Sequence, residues 1–280
     1  VLSGGGALGL SHVGVLQVLE ELHVPVDCVA GTSMGSIVGG LYAAGYSAGE
    51  LEKISLDLDW RDILRDAPER RDLPYRRKVD DLTYLTRWEM GFSGGKLRLP
   101  SGLIPGQKLG LTLRLLALRA AGIDDFDRLP LPFRAVAADI GTGEIVVLRG
   151  GDFAGALRAS MAVPGLFSPV EVDGRLLVDG GVLANLPVDA ARAMGAAVVI
   201  AVDIGQPLAS LGRPESLPGI LSRTSAFLTR LNVEKSLGGV DVLIHPTLDK
   251  LGLLDFHAAP EILAAGVAAA RAKQDELRLL

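Results

Sequence analysis

The sequence predicts an α/β fold with three layers, α/β/α, around a mainly parallel central sheet. Two observations carry this. A first strand at Val1 to Ser3, a glycine loop, an apolar helix from Leu10 to Leu22 and a second strand from Pro25 to Ala30 follow one another closely. A β-loop-α-β unit of about 30 residues pairs its strands in parallel. Further along, short runs of Val, Ile and Ala alternate with helical stretches, which is the pattern of a sheet covered on both faces. The 280 residues fit a single domain, 1–280, and a hydrophobic content of 49% is enough for a large buried core.

The first helix carries Val13, Leu16 and Leu19 on one face with Val15, Val18 and Leu22 beside it, a stripe wide enough to be buried on more than one side. Ile37 to Ala44 is helical, and Ser47-Ala48-Gly49-Glu50 is a capping box that opens the next helix. From Trp60 to Gly106 the periodicity degrades. Trp60, Trp88, charge clusters and Gly94-Gly95 mark an irregular insertion or lid there, not a separate domain. A helix follows from Leu109 to Ala121, then strands at Phe133 to Ala138 and Glu144 to Leu148 around Gly141-Thr142-Gly143. Asp152 to Met161 is helical, and Val170 to Val172 and Arg175 to Val178 form a hairpin around Asp173-Gly174. Pro187 to Met194 is a helix with Pro at its start, Ala197 to Asp203 a buried strand and Ser210 to Pro218 a loop. Ile220 to Leu237 is a helix, Val242 to His245 a strand, and the last helix runs from Pro260 onward.

Bulk properties exclude several classes. The net charge is 28 − 33 = −5, which gives no electrostatic basis for a nucleic-acid partner. The single cysteine, Cys28, is read as lying in a buried strand; it rules out an intrachain disulfide and a Cys-cluster metal site. Mean hydropathy is +0.35, yet the longest apolar run, Ala196 to Val202, is far shorter than the roughly 20 residues of a membrane span. Because the chain opens directly before a glycine loop, it is read as a domain from a longer chain, with any signal peptide upstream.

The nucleophile signal is Gly31-Thr32-Ser33-Met34-Gly35, a G-x-S-x-G elbow between an apolar strand and an apolar helix. Such a turn exposes the central Ser33 hydroxyl beside the positive end of the following helix, with Gly31 and Gly35 allowing close approach. Upstream, Gly4-Gly5-Gly6-Ala7-Leu8-Gly9 reads G-x-G-x-x-G. It fits a dinucleotide loop with Asp27 as ribose acid, an oxyanion hole built from backbone N–H groups, or a plain tight turn; the elbow that follows favours the oxyanion hole. Downstream, Asp179-Gly180-Gly181 follows a strand, so Asp179 faces the crevice where α/β proteins keep their sites and can serve as base for a Ser. A Ser-His-Asp triad requires a late histidine, and Asp203 with His245 or His257 are the candidates; His12, on the first helix, suits packing or hydrogen bonding.

These three motifs, in this order, resemble the patatin-like phospholipases. Gly14-Val15-Leu16, Ala159-Ser160-Met161-Ala162-Val163-Pro164, Phe167-Ser168-Pro169-Val170 and Asn185-Leu186-Pro187-Val188 extend the resemblance from Val1 to about Asp203. It implies a Ser-Asp dyad with Ser33 as nucleophile and Asp179 as base, an oxyanion loop of Gly4, Gly5, Gly6 and Gly9, and a lipid acyl hydrolase of the phospholipase A type. Asp66-Ala67-Pro68, Arg76-Arg77-Lys78, Gly106-Gln107 and Pro132-Phe133-Arg134-Ala135-Val136 resemble the bacterial branch carried by an outer-membrane barrel and secreted; a cytoplasmic location stays open. One position departs from the family: Leu8 stands where the glycine loop usually carries Arg. The alternatives are therefore a Ser-His-Asp esterase, or a weakly active or inactive lipid-binding domain.

The expected partner is a phospholipid or other lipid ester, with no cofactor, no metal and no nucleic acid; a homodimer is left open. Leu8, Leu10, Met34, Val163, Leu166 and Phe167 are either an acyl groove or core. Arg61, Arg65, Arg70, Arg71, Arg76, Arg77 and Lys78, with the two tryptophans, suit peripheral membrane contact. Asp62, Asp66, Glu69, Asp72 and Asp80 offset most of that charge and favour a salt-bridged, solvated lid.

Overall fold

The structure, a computed structural model, describes residues 1–68, 70–83, 91–93, 96–98, 102–206 and 217–280. In chain order the helices are α1 (Ser11–Glu21), α2 (Met34–Ala43), α3 (Ala48–Asp57), α4 (Trp60–Arg65), α5 (Tyr75–Thr83), α6 (Gln107–Leu116), α7 (Phe153–Ser160), α8 (Gly181–Ala184), α9 (Val188–Ala193), α10 (Leu217–Ser236), α11 (Ala259–Ala272) and α12 (Gln274–Leu277). The strands are β1 (Val29–Thr32), β2 (Gly91–Ser93), β3 (Lys96–Arg98), β4 (Phe133–Asp139), β5 (Ile145–Leu148), β6 (Val170–Val172), β7 (Arg175–Asp179), β8 (Ile200–Val202) and β9 (Val242–Ile244).

The sheet is parallel from β9 through β8, Leu2 and β1 to β4. It turns antiparallel where the two hairpins of the sequence pattern join it: β5 pairs with β4, and β7 pairs with β4 and β6. Asp173 and Gly174 between β6 and β7 both have positive φ (51° and 75°), as a two-residue hairpin turn requires.

Both faces of the sheet are covered, and the strand period of two shows it. Val29, Ala135 and Ala137 enter one apolar cluster with residues of α1, α2, α7 and α11. Ala30 and Val136, their neighbours in sequence, enter a second cluster with Leu186, Val188 and Ala191 around α9, and Val233 on α10. The large cluster is anchored by Phe133, fully buried and set against Phe126 and Phe153, the latter edge-on to Phe126 at 5.3 Å. Truncating such a ring to Ala costs about 3–5 kcal/mol.

Two expected boundaries shift for identifiable reasons. The second strand begins at Val29, not Pro25, because the first ladder bond available is Val29 N–H to the Pro132 carbonyl (2.9 Å). Cys28 is therefore only partly buried and lies outside the strand. The glycine loop is short, since Gly6–Leu10 is a 3-10 turn that runs directly into α1.

Within the predicted insertion, α4, a 3-10 turn at Arg70–Asp72, α5 and the β2–β3 hairpin are described. Asp66 fastens α4 to α6. Its carboxylate accepts the N–H groups of Gly106, Gln107 (2.8 Å) and Lys108 (2.7 Å), and capping a helix N-terminus in this way neutralises its exposed donors and dipole. Lys108 then pairs with Asp62 at 2.7 Å. Two of the carboxylates set against the arginine cluster are thus engaged by α6 instead. Glu69, Trp88, Gly94-Gly95, the side chain of Asp80 and most of the predicted 210–218 loop lie outside the described residues; Pro218 falls within α10.

Candidate active site

Strand β4 is the template of the site. Its residues Ala135–Ala138 pair with β5 along one edge. Along the other edge Phe133–Val136 face β1, and Ala137 faces Asp179 at the end of β7. The carboxyl ends of β1 and β7 therefore meet on consecutive residues of β4.

The residue after β1 is Ser33, held at φ 53°, ψ −124°. A non-glycine residue in such a region costs roughly 1–3 kcal/mol and needs support. Ser160 at the end of α7 supplies it: its Oγ accepts the Ser33 N–H at 2.9 Å and donates to the Val136 carbonyl at 2.6 Å. The Ser33 carbonyl accepts from Ser36 N–H (2.9 Å) and Ser36 Oγ (2.7 Å). The elbow glycines are explained by crowding. A Cβ on Gly31 would strike the Gly35 carbonyl, and one on Gly35 would strike the carbonyls of Leu2 and Ser3. Met34, fully buried, starts α2.

Asp179 reaches Ser33 from β7. Its N–H donates to the Ala162 carbonyl (2.9 Å) and its carboxylate accepts the Gly181 N–H at 2.7 Å, while the Ser33 side chain lies near enough to lower its ionisation. Ser33 and Asp179 are 4% and 6% exposed. Burial pushes the Asp179 carboxyl up to about 6; the nearby Ser33 side chain and the Gly181 N–H pull the other way. Gly180 lies against the Val136 carbonyl.

The four loop glycines occupy different positions. Gly4 packs on the Ser33 side chain; its N–H donates to the Asn185 carbonyl (3.3 Å) and Oδ1 (3.2 Å), while Asn185 Nδ2 donates to the Gly4 carbonyl (3.2 Å). Gly5 and Gly6 have N–H groups without a hydrogen-bond partner among the described residues, at the start of the 3-10/α1 helical stretch. Gly6, at φ 56°, backs onto the Leu253 carbonyl, which also takes the Ala7 N–H at 2.8 Å. Gly9 abuts the Met34 side chain within the helical turn.

The remaining candidates lie elsewhere. Leu8 is 1% exposed, a core residue whose carbonyl accepts the Ser11 hydroxyl. Leu10, Met34 and Phe167 are likewise sealed in the core, whereas Val163 and Leu166 are partly exposed. An apolar cavity of about 30 Å³ lies behind the elbow, lined by Leu10, Met34, Ile37, Trp60 and Leu113 among others. His12 is buried with Nε2 2.8 Å from the Ser3 carbonyl; burial pushes it down to about 4, so at neutral pH it is uncharged and Nε2–H donates. His245 pairs with Asp203 at 3.7 Å just beyond β9 and β8. Three strand steps separate it from Ser33, about 14 Å at roughly 4.8 Å per step. His257 is exposed beside Asp255, and Asp27 is exposed before β1. Among the described residues no group of three His, Cys, Asp or Glu side chains could hold a metal, and no helix is long and apolar enough to cross a membrane.

Ser160 and Asn185 were not singled out as site residues from the sequence. Both sat inside stretches that carried the family resemblance, but their roles depend on contacts with distant backbone that no local pattern displays.

Comparison with known proteins agrees with the motifs. The family profile described as Patatin, patatin-like phospholipase, matches residues 1–192. Patatin-like phospholipase domain-containing protein 6 of Mus musculus is 36% identical over 207 residues, 73% of this chain and 13% of that protein. An uncharacterized NTE family protein of Mycobacterium tuberculosis is 33% identical over 301 residues, 97% of this chain and 45% of that protein. The chain thus spans less than half the length of these relatives. Two solved structures are similar at lower identity. VipD from Legionella pneumophila has a TM-score of 0.49 at 15% identity, covering 98% of this chain and 66% of its own. The type III effector protein ExoU has 0.47 at 19%, covering 100% and 53%. The chain belongs to the patatin-like phospholipase family.

Proposed function

We propose that this domain is a lipid acyl hydrolase of the phospholipase A type that works through a Ser33–Asp179 dyad. The observation that carries the reading is the register that ends β1 and β7 on neighbouring residues of β4 and so brings the buried Ser33 and Asp179 together, with the carboxyl pushed up to about 6. A carboxylate of ordinary acidity is a poor base for a hydroxyl; a raised one is better matched to the proton transfer. Asp179 accepts the Ser33 proton as Oγ attacks the ester carbonyl. The oxyanion of the tetrahedral intermediate faces the N–H groups of Gly5 and Gly6, which also gain from the helix N-terminus behind them. Collapse expels the lysolipid alkoxide, which takes the proton from Asp179. Water, deprotonated by Asp179, then releases the fatty acid and restores Ser33.

Of the four glycines, Gly5 and Gly6 serve as donors; Gly4 and Gly9 set the loop against Ser33 and Met34. Leu8 packs in the core and the donors are backbone groups, so the loop keeps its shape without an arginine there. The test is labelling by a fluorophosphonate probe together with fatty-acid release from phosphatidylcholine vesicles. We expect labelling at Ser33, lost with release in Ser33→Ala; release that survives Ser33→Ala would overturn the reading.

Peripheral bilayer contact is part of the proposal. Leu253 and Leu254 are 46% and 60% exposed next to the glycine loop. Leu254→Asp is expected to weaken sedimentation with vesicles while leaving hydrolysis of a water-soluble ester intact; unchanged sedimentation counts against this contact. Carriage by a secreted, barrel-bearing chain rests on the resemblance of Asp66-Ala67-Pro68, Arg76-Arg77-Lys78, Gly106-Gln107 and Pro132 to Val136, and recovery of the full-length protein in a cytosolic fraction would contradict it.

A further inference from the structure

Helix α10 lies beyond the part of the chain that the family profile matches, yet it grips the turn that carries the base. The one-turn helix α8 starts directly after Asp179-Gly180. Leu183 N–H (3.0 Å) and Ala184 N–H (2.8 Å) bond to the Gly180 carbonyl in the ordinary way. The next bond of an α-helix would join the Gly181 carbonyl to the Asn185 N–H. At this end of the helix the side chain of Asn232 binds the same two groups: Oδ1 accepts the Asn185 N–H at 2.9 Å, and Nδ2 donates to the Gly181 carbonyl at 3.0 Å and to Val182 O at 3.3 Å. These partners fix the orientation of the amide, since one end needs an acceptor and the other a donor. Thr229 Oγ1 adds a second donor to the Gly181 carbonyl at 2.9 Å.

The residues at the two ends of this clamp both act on the proposed site. Gly181 N–H donates to Asp179, and the Asn185 side chain pairs with both polar groups of Gly4, which packs on Ser33. We infer that Asn232, assisted by Thr229, is a positioning residue: its amide clamps the Gly181 carbonyl and the Asn185 N–H, so that Gly181 stays aimed at the base and Asn185 at the glycine loop. Without the amide, the Gly181 carbonyl and Asn185 N–H lose this clamp, and both contacts are free to shift. The inference rests on the Ser33–Asp179 reading.

The test compares Asn232→Ala with wild type and with Lys235→Ala, an exposed change on the same helix. The assay is hydrolysis of a water-soluble acyl ester, with thermal melting as the folding control. We expect kcat to fall about tenfold, the effect of one or two misplaced hydrogen bonds, with KM within about twofold. The acid limb of kcat/KM should also move to higher pH. The groups that set the Asp179 ionisation are burial, Ser33 and Gly181, with no charged side chain among them, so weakening the Gly181 bond raises it. A folded Asn232→Ala with unchanged kcat and pH profile, beside an inactive Ser33→Ala, overturns this inference and leaves the dyad standing. An active Ser33→Ala removes the reading beneath both. If Asn232→Ala does not fold, Thr229→Val carries the test: kcat about threefold lower, from losing one of two donors, supports the inference, and unchanged kcat overturns it.

Discussion

Thr32 and Asp179 face neighbouring residues, Val136 and Ala137, on one edge of β4. Two strands that approach from opposite directions end there, and the chain leaves β1 through Ser33. This register places a hydroxyl and a carboxyl together in the core of the sheet, where water does not solvate the carboxylate. The raised ionisation of Asp179 is a direct consequence.

The same burial makes Asp179 a cost to the fold. Its carboxyl titrates at about 6 in the native protein against 3.8 ordinarily, so the native state holds the proton more tightly. Stability therefore falls as pH rises from about 4 to 6 and is flat above, by about 3 kcal/mol. His12 acts in the opposite sense. Its native value of about 4 lies below the usual 6.5, so its contribution is complete above 6.5 and lost as pH falls toward 4. The two slopes largely cancel in the wild type. Asp179→Asn should raise the urea midpoint at pH 8, lose that advantage near pH 4, and show the acid-side loss that His12 alone produces. Parallel midpoint curves for the two proteins between pH 3.5 and 8 would refute this assignment.

Ser160→Ala removes the hydroxyl that holds the Ser33 N–H and leaves that buried donor unsatisfied. Such a loss costs about 1–3 kcal/mol. With the elbow free to relax from its positive φ, kcat should drop about tenfold with KM little changed. Denaturant titration and steady-state kinetics on the same preparation check both parts; wild-type values in both would show that the hydroxyl is not the support of the elbow.

Leu8→Arg restores the residue usual in the family loop but places a guanidinium where the side chain is 1% exposed. Burying an unpaired charge costs several kcal/mol. The variant is expected to melt well below wild type and to gain no activity. A variant as stable as wild type and more active would show that position 8 communicates with the site.

The legible part of this protein was the local part. Ser33 and Asp179 stand out as candidates because each sits in a short pattern with its own glycines, and the capping box at Ser47 and Glu50 forms as its spacing requires. The hairpins at β4–β5 and β6–β7 followed from turn residues. What stayed hidden was decided by remote partners. Ser160 bonds the Ser33 N–H across 127 residues of sequence, Asn185 bonds Gly4 across 181, and Asn232 bonds Asn185 across 47. The start of β1 was misplaced because Pro132, not Pro25, determines where its ladder begins. Leu8 read as a loop position beside the site because a run of glycines conceals a 3-10 turn that carries the side chain into the core.

The most direct measurement is the turnover of a fatty-acyl ester by Asp179→Asn at pH 8, with the melting curve confirming a folded protein. The dyad predicts a loss of kcat on the order of 10⁴-fold or more, at least that of losing the aspartate of a serine protease triad. Turnover within tenfold of wild type would contradict it.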